Sequence, residues 1–348
     1  AITMPPPSMK MPDPSHIMEV GMGYMASKAL LTAVKLGLFT ELGSSSMSAT
    51  ELKARFNLNG RGLLDFLDAL HSLGFLNREG VGGDARYSNT EATGFFLNKN
   101  SLQYIGGILE MSNDRLYKFW GDLEEGLRTG KPQNEVKHTG KNQFEEFYAS
   151  PERMRSFIEG MAGIQMGNFM TFARQFDFSG YKTLCDIGGA SGQLSIIVSM
   201  HQPQLQCTSF DLPVVEPLAK SIIDRFGFSG RVATAAGDFF ADDFPKADII
   251  TMGNILHDWG LEDKKKLMKK AYDALPAGGA FVAIESILDD ERKANSAGLL
   301  ISLTMLIETH EGYDFTFGEF TSCAQEIGFR KTSLMPLTGP TSAAIAVK

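Results

Sequence analysis

Two hydrophobic rhythms divide this chain. Before Tyr181 the apolar positions recur at helical spacing; after it, short apolar runs alternate with amphipathic stretches. Met22, Met25, Ala29, Leu30, Ala33 and Leu36 lay an apolar stripe along Met18–Leu42, punctuated by Gly37 and Gly43. Ser48-Ala49-Thr50-Glu51-Leu52 has the form of a helix start, a hydroxyl cap ahead of an acidic first turn. Leu63, Phe66, Leu67, Leu70 and Leu73 share one face of a further helix over Asn59–Gly74. Phe75-Leu76-Asn77 and Tyr87-Ser88-Asn89 then flank Gly80, Gly82 and Gly83. Helix, helix and a glycine-centred hairpin predict a winged helix. Ser101–Phe178 predicts mostly helix, with a Met-rich stretch from Phe157 to Phe172.

Beyond Tyr181 the predicted strands are Thr183–Ile187, Gln206–Phe210, Arg231–Ala235, Ala247–Met252 and Gly279–Glu285. Helices near Gln193–His201, Val215–Phe226 and Glu262–Leu275 separate them, and Ala294–Glu308 and Phe317–Ile327 add two more. Lys331–Leu337 and Ala343–Val347 form a terminal hairpin around Thr338-Gly339-Pro340. Strand and helix in alternation predict an α/β fold: a Rossmann-like, mostly parallel seven-stranded sheet with a C-terminal antiparallel hairpin. The predicted organisation is an arm over 1–15, a helical winged-helix-like domain over 16–110, a helical linker over 111–178 and a catalytic domain over 179–348. A sheet of this kind binds its ligand beyond the carboxyl ends of its strands.

Composition narrows the function class. The chain has 348 residues, 33 Lys plus Arg, 41 Asp plus Glu and a net charge of −8. Phosphate contacts need clustered cations, so this balance argues against a nucleic-acid partner. The second helix of the winged helix carries Asp65 and Asp68 and only Arg61 as a cation, which suits a DNA groove poorly. Cys185, Cys207 and Cys323 are far apart, with no metal-ligand spacing, so no metal is expected. No apolar run approaches the ~20 residues of a membrane span, and the expectation is a cytoplasmic protein.

Five segments carry the candidate chemistry. Asp186-Ile187-Gly188-Gly189-Ala190-Ser191-Gly192 follows a strand and opens a helix. Glycines there let a ligand approach the backbone, and the helix start favours an anionic group. Ala190 departs from the dinucleotide fingerprint, and no Gly-Lys-Ser/Thr makes a phosphate loop. Asp211 ends the next strand, at a separation suited to a ribose diol. Gly237-Asp238-Phe239-Phe240 sets a carboxylate beside an aromatic face, which suits adenine. Asn254-Ile255-Leu256-His257-Asp258-Trp259 puts a histidine at a strand's carboxyl end, where a pKa near ~6.5 makes it a natural general base. Asp258 is read as a cap of the following helix and Trp259 as core. Glu285, ending the fifth strand, should emerge beside His257 and orient its ring; Asp314 is a second, weaker candidate.

In this order the segments resemble the class I S-adenosylmethionine-dependent O-methyltransferases, and among them the plant caffeic acid and flavonoid enzymes and their bacterial natural-product relatives. The resemblance runs from Met18 to Lys348 and is most specific in His257-Asp258-Trp259 after Asp186-Ile187-Gly188-Gly189. It implies S-adenosylmethionine as cofactor, held by Asp186, Gly188, Gly189 and Gly192 with their loop at the methionyl part. Asp211 and Leu212 would hold the ribose and Asp238 and Phe239 the adenine, with Gly237 and Asn254 also among the cofactor-binding residues. It implies His257 as base, flanked by Glu285 and Asp314, and a homodimer through the N-terminal helices. Ala190 replaces a common glycine, Asp314 a glutamate of the plant members, and Gly253 a cofactor-holding lysine; the last points to the bacterial branch.

The implied reaction is in-line methyl transfer to a hydroxyl of a small aromatic or heteroaromatic secondary metabolite, with His257 taking the proton. Phe157, Met161, Met166 and Met305, with Asp258, are the expected acceptor side, placed between the domains. Nitrogen or carbon acceptors, a family member with other chemistry, a nicotinamide enzyme and a winged-helix DNA regulator stay as alternatives.

Overall fold

A sheet buried on both faces must read as nearly unbroken apolar runs, and the strand Ala280–Ser286 does so, with all seven residues buried. The computed structural model describes residues 2–4 and 6–348. They divide into two compact units, one up to Asn113 and one from Asp114 onward.

In the first unit, helices Ser15–Gly21, Gly23–Leu36 and Leu38–Leu42 precede strand β1 (Ser46–Ser48). Ser48 caps helix Ala49–Arg55, its hydroxyl accepting from the Glu51 N–H. Helix Leu63–Ser72 and strands β2 (Leu76–Glu79) and β3 (Arg86–Asn89) complete a winged helix, the sheet running β1-β3-β2. Asp68 has a structural task. It accepts from the buried Tyr87 hydroxyl at 2.5 Å and from Arg78 at 3.1 Å, so the helix carboxylate pins the wing.

In the second unit the seven strands are β4 (Thr183–Ile187), β5 (Gln206–Asp211), β6 (Val232–Ala236), β7 (Ile249–Gly253), β8 (Ala280–Ser286), β9 (Lys331–Pro336) and β10 (Thr341–Val347). Their order is β6-β5-β4-β7-β8-β10-β9. The first five run parallel, and β10 pairs antiparallel with both β8 and β9. Strand boundaries fall within one or two residues of those expected. The chain leaves β4 outward to β5 and β6, then crosses back to β7 and β8. The crevice at the carboxyl ends of β4 and β7 is therefore the switch point where such sheets bind ligands.

Two apolar clusters cover the sheet. One packs helices Leu261–Ala274 and Phe317–Ile327 against β7 and β8 through Leu267, Met268, Phe281 and Phe320. The other packs helices Pro151–Gln175 and Gln193–His201 against β4 and β5 through Phe172, Leu184, Val198 and Cys207. Among the described residues no helix is long and apolar enough to cross a membrane, and all three cysteines are free and buried.

Candidate active site

At the crevice the loop after β4 is built for close backbone approach. Gly188 and Gly192 adopt left-handed backbone angles. A Cβ at Gly189 would lie 2.0 Å from Ser209 Oγ, and one at Gly188 would lie 2.5 Å from Ile255 Cδ1. Ala190 also takes positive φ, where a side chain is strained. Asp211 fixes this loop. One carboxylate oxygen accepts from the Ala190 N–H at 2.8 Å, the other from its neighbour Leu212 at 2.7 Å. Burial pushes the Asp211 carboxyl up to about 6, against these two bonds.

The remaining cofactor-side candidates divide. Asp186 is buried and accepts from Thr251 Oγ1 at 2.7 Å, so its carboxyl ties β4 to β7; burial raises it to about 7. Gly237 serves packing, because a Cβ there would meet Phe210 at 2.7 Å. Asp238 is exposed and caps the turn beyond it, accepting from the Phe240 N–H at 2.8 Å. The Phe239 ring is partly buried, edge-on to Phe240 and Trp259. Asn254 turns the chain out of β7 at positive φ, a conformation asparagine tolerates, and its N–H donates to Ile284 at 2.9 Å. Leu212 is partly buried against Met154, Ile158, Val215 and Leu218.

His257 is the centre of a buried cluster of charged groups. It lies in a short 3₁₀ turn, Leu256–Asp258, and is buried. Its ring Nδ1 stands 3.2 and 3.3 Å from the two oxygens of Asp314. Its backbone N–H donates to Glu285 Oε2 at 3.2 Å. The expected order of the two carboxylates is thus reversed: Asp314 holds the ring, and Glu285 holds the main chain. The reason is direction, since Glu285 rises from β8 below the turn while Asp314 comes from the loop that closes over it. Only glycine fits that loop at Gly312, where a Cβ would lie 2.5 Å from the His257 carbonyl.

Asp258 is not the helix cap expected of it. Gly260 occupies that position without a side-chain bond, and the Asp258 carboxylate lies 3.6 Å from His257 Nε2. Burial raises Asp258 to about 7 in spite of His257. For His257, burial opposes the charge, but Asp314, Asp258 and Glu285 outweigh it and lift the imidazole to about 10.

Trp259, expected as core, stands in a cluster of rings. It lies edge-on to Phe240 at 4.8 Å and 6.2 Å from Phe144, and its buried indole N–H has no partner among the described residues. Phe157 joins this cluster, stacked on Phe147 at 4.6 Å and near Phe144 and Tyr148. Met161 follows one turn after Phe157 on helix Pro151–Gln175, partly buried like Met166. Met305 is buried on helix Ser296–Glu308, where its carbonyl receives Thr309.

The sequence reading missed Phe144, Phe147 and Tyr148, because the short helix Gln143–Phe147 carries no motif. Tyr148 packs beside Phe144 and Phe157; burial raises its hydroxyl well above the usual range, and the charges of Asp211 and Asp258 add to this. Lys264, one of a run of three lysines, was also passed over; it is fully buried.

Residues 120–330 match the model of the O-methyltransferase domain, and residues 18–99 that of the O-methyltransferase dimerisation domain. The chain belongs to the O-methyltransferase family. It is 34% identical to the tetracenomycin polyketide synthesis 8-O-methyl transferase TcmO of Streptomyces glaucescens, over 96% of this chain and 97% of that protein. It is 32% identical to the N,N-dimethyltransferase OxyT of Streptomyces rimosus, over 90% of each. The structure of human N-acetylserotonin methyltransferase in complex with S-adenosylmethionine superposes with a TM-score of 0.88, at 28% identity, covering 98% of this chain and 99% of that one. This methyltransferase uses S-adenosylmethionine, and the glycine cradle and anchored Asp211 fit a ligand lying across the ends of β4 and β5.

Proposed function

We propose that this O-methyltransferase methylates a hydroxyl on a small aromatic or heteroaromatic metabolite, with His257 as the general base. The observation that carries the reading is the His257 ring itself. Its Nδ1 stands 3.2 Å from Asp314, which leaves Nε2, 3.6 Å from the Asp258 carboxylate, to take a proton. A phenol has a pKa of ~10, and an imidazole lifted to about 10 has a matched affinity for that proton. TcmO, by its name, is an 8-O-methyl transferase of tetracenomycin polyketide synthesis, which supports an oxygen acceptor here.

When bound, S-adenosylmethionine supplies an activated methyl group on a sulfonium. The chain's residues do the rest. The loop Gly188–Gly192 would take the methionyl part, Asp211 and Leu212 the ribose, and Asp238 and Phe239 the adenine. Phe157, Met161 and Phe144 would hold a flat acceptor so that oxygen and methyl align, an arrangement worth ~7–11 kcal/mol when good. Asp314 would orient the ring and stabilise the imidazolium formed.

Transfer of labelled methyl to a panel of phenols and hydroxylated heteroaromatics, wild type beside His257→Ala, tests this. Equal turnover by the two proteins would remove His257 as the base. Similarity to OxyT favours a nitrogen acceptor as the second reading; locating the methyl on oxygen or nitrogen by NMR of the product separates the two. The dimerisation-domain match and the exposed Ile17, Met18, Val20, Met22 and Met25 support a homodimer through the N-terminal helices. A monomer in light scattering at all concentrations would count against it. The free, buried thiols suit the cytoplasm.

A further inference from the structure

A fully buried lysine is costly unless its charge and donors are satisfied, and Lys264 is fully buried. It rises from helix Leu261–Ala274 directly behind the His257 turn. Its Nζ donates to the Trp259 carbonyl at 2.5 Å and to the Tyr313 carbonyl at 2.7 Å. Those carbonyls belong to the two segments that present His257 and Asp314. The ammonium also lies over the Tyr313 ring at 3.7 Å and near that of Phe315 at 5.4 Å.

The charges around it are nearly all negative. Glu285 from β8, Asp314 from the loop, Asp258 from the turn and Glu319 from helix Phe317–Ile327 all bear on Lys264; Cys323 of that helix faces it as well. Across the same cluster stands His257. Glu285 keeps one carboxylate oxygen, Oε1, buried without a hydrogen-bond partner among the described residues. Glu285, Asp314 and the partly buried Asp258 around one imidazole carry more negative charge than the imidazole can offset, and Lys264 brings a second buried cation to the cluster.

We propose that Lys264 is the positioning residue of this site: it ties the His257 turn to the Asp314 loop, and its charge offsets part of the negative charge of Glu285 and Asp258 beside the base. Its catalytic consequence rests on the reading of His257 as base; its electrostatic role does not. Burial raises the Glu285 carboxyl, and Lys264 together with His257 holds it back. The same burial lowers Lys264 itself, with the four carboxylates opposing. Removing one positive charge from a coupled cluster moves the proton affinity of the whole set upward.

The experiment is a carboxyl-carbon NMR titration of Glu285 in protein labelled at glutamate, the signal assigned with Glu285→Gln. It is run on wild type, Lys264→Gln, which keeps a neutral donor, and Lys264→Met. The expected result is a Glu285 midpoint higher by about one pH unit or more in both variants. The low-pH limb of kcat/KM should move the same way. An unmoved Glu285 titration, or a loss of rate equal at every pH, overturns the proposal and leaves Lys264 a packing residue. If both variants fail to fold, the wild type decides. Glu285 must then show a second inflection where the Lys264 amine, followed by a label on its Cε, loses its proton; its absence overturns the proposal. Because no acceptor is needed, a shifted Glu285 alongside a fully active His257→Ala would sink the base and keep Lys264.

Discussion

Asp314 meets the His257 ring at 3.2 Å across 57 residues of chain, and of the three carboxylates that lift the imidazole it contributes most. Replacing it by asparagine keeps the shape and removes the charge. The imidazole should lose part of its lift, so Asp314→Asn should lower kcat and move the rising limb of the pH profile to lower pH. A limb that stays in place would show that Glu285 or Asp258, and not Asp314, sets the base.

The proposed role of His257 as base predicts a fall of ~10²–10⁴ in kcat for His257→Ala. Cofactor affinity, measured by calorimetry with S-adenosylhomocysteine, should change little, since the loop after β4 and Asp211 are untouched. A large loss of affinity would mean the variant has disturbed the crevice as a whole.

The wild-type pH dependence has a definite sign. His257 is raised from 6.5 to about 10, and a base must be neutral to act. The kcat/KM value should therefore rise with pH through and above neutrality rather than level off near pH 7. Stability runs the other way: the charged ring stabilises the fold fully below its unfolded pKa, and that contribution is lost as pH rises towards 10. Thermal melts of wild type and His257→Gln should converge at high pH.

Asp211 anchors the loop after β4 through Ala190 and Leu212. Asp211→Ala should therefore weaken S-adenosylhomocysteine by at least tenfold, about 1.4 kcal/mol, and lower the melting temperature as well. A change in affinity alone would mean the loop holds its shape without the carboxylate.

Ala190 stands in the left-handed region, where a side chain costs ~1–2 kcal/mol. Ala190→Gly should raise stability by a few tenths to about 1 kcal/mol, read by urea unfolding, with activity retained. A destabilised variant would mean that the Ala190 methyl, which packs against the cluster of Met154, Ile158, Val215 and Leu218, outweighs the strain.

Much of this protein is written in one dimension. Apolar runs such as Phe281–Ile284 between turn signals mark strands buried on both faces, and the glycines after β4 mark a close backbone approach wherever they occur. The ends of β4, β5, β7 and β8 therefore placed the loop, Asp211, His257 and Glu285 at one edge of the sheet from sequence alone. Local periodicity does not reveal which side chain reaches which. That Asp314 takes the ring while Glu285 takes the backbone depends on a loop that closes over His257 only because Gly312 has no Cβ. That Phe144 and Tyr148 pack with Phe157, and Phe144 with Trp259, depends on a short helix with no motif of its own. Lys264 sits within a charged run, Asp263-Lys264-Lys265-Lys266, which reads as a solvated face. Its partners, the carbonyls of Trp259 and Tyr313, lie 5 and 49 residues away. Sequence settles what each segment prefers; the folded chain settles which charges are buried together, because burial and distance are properties of the packing.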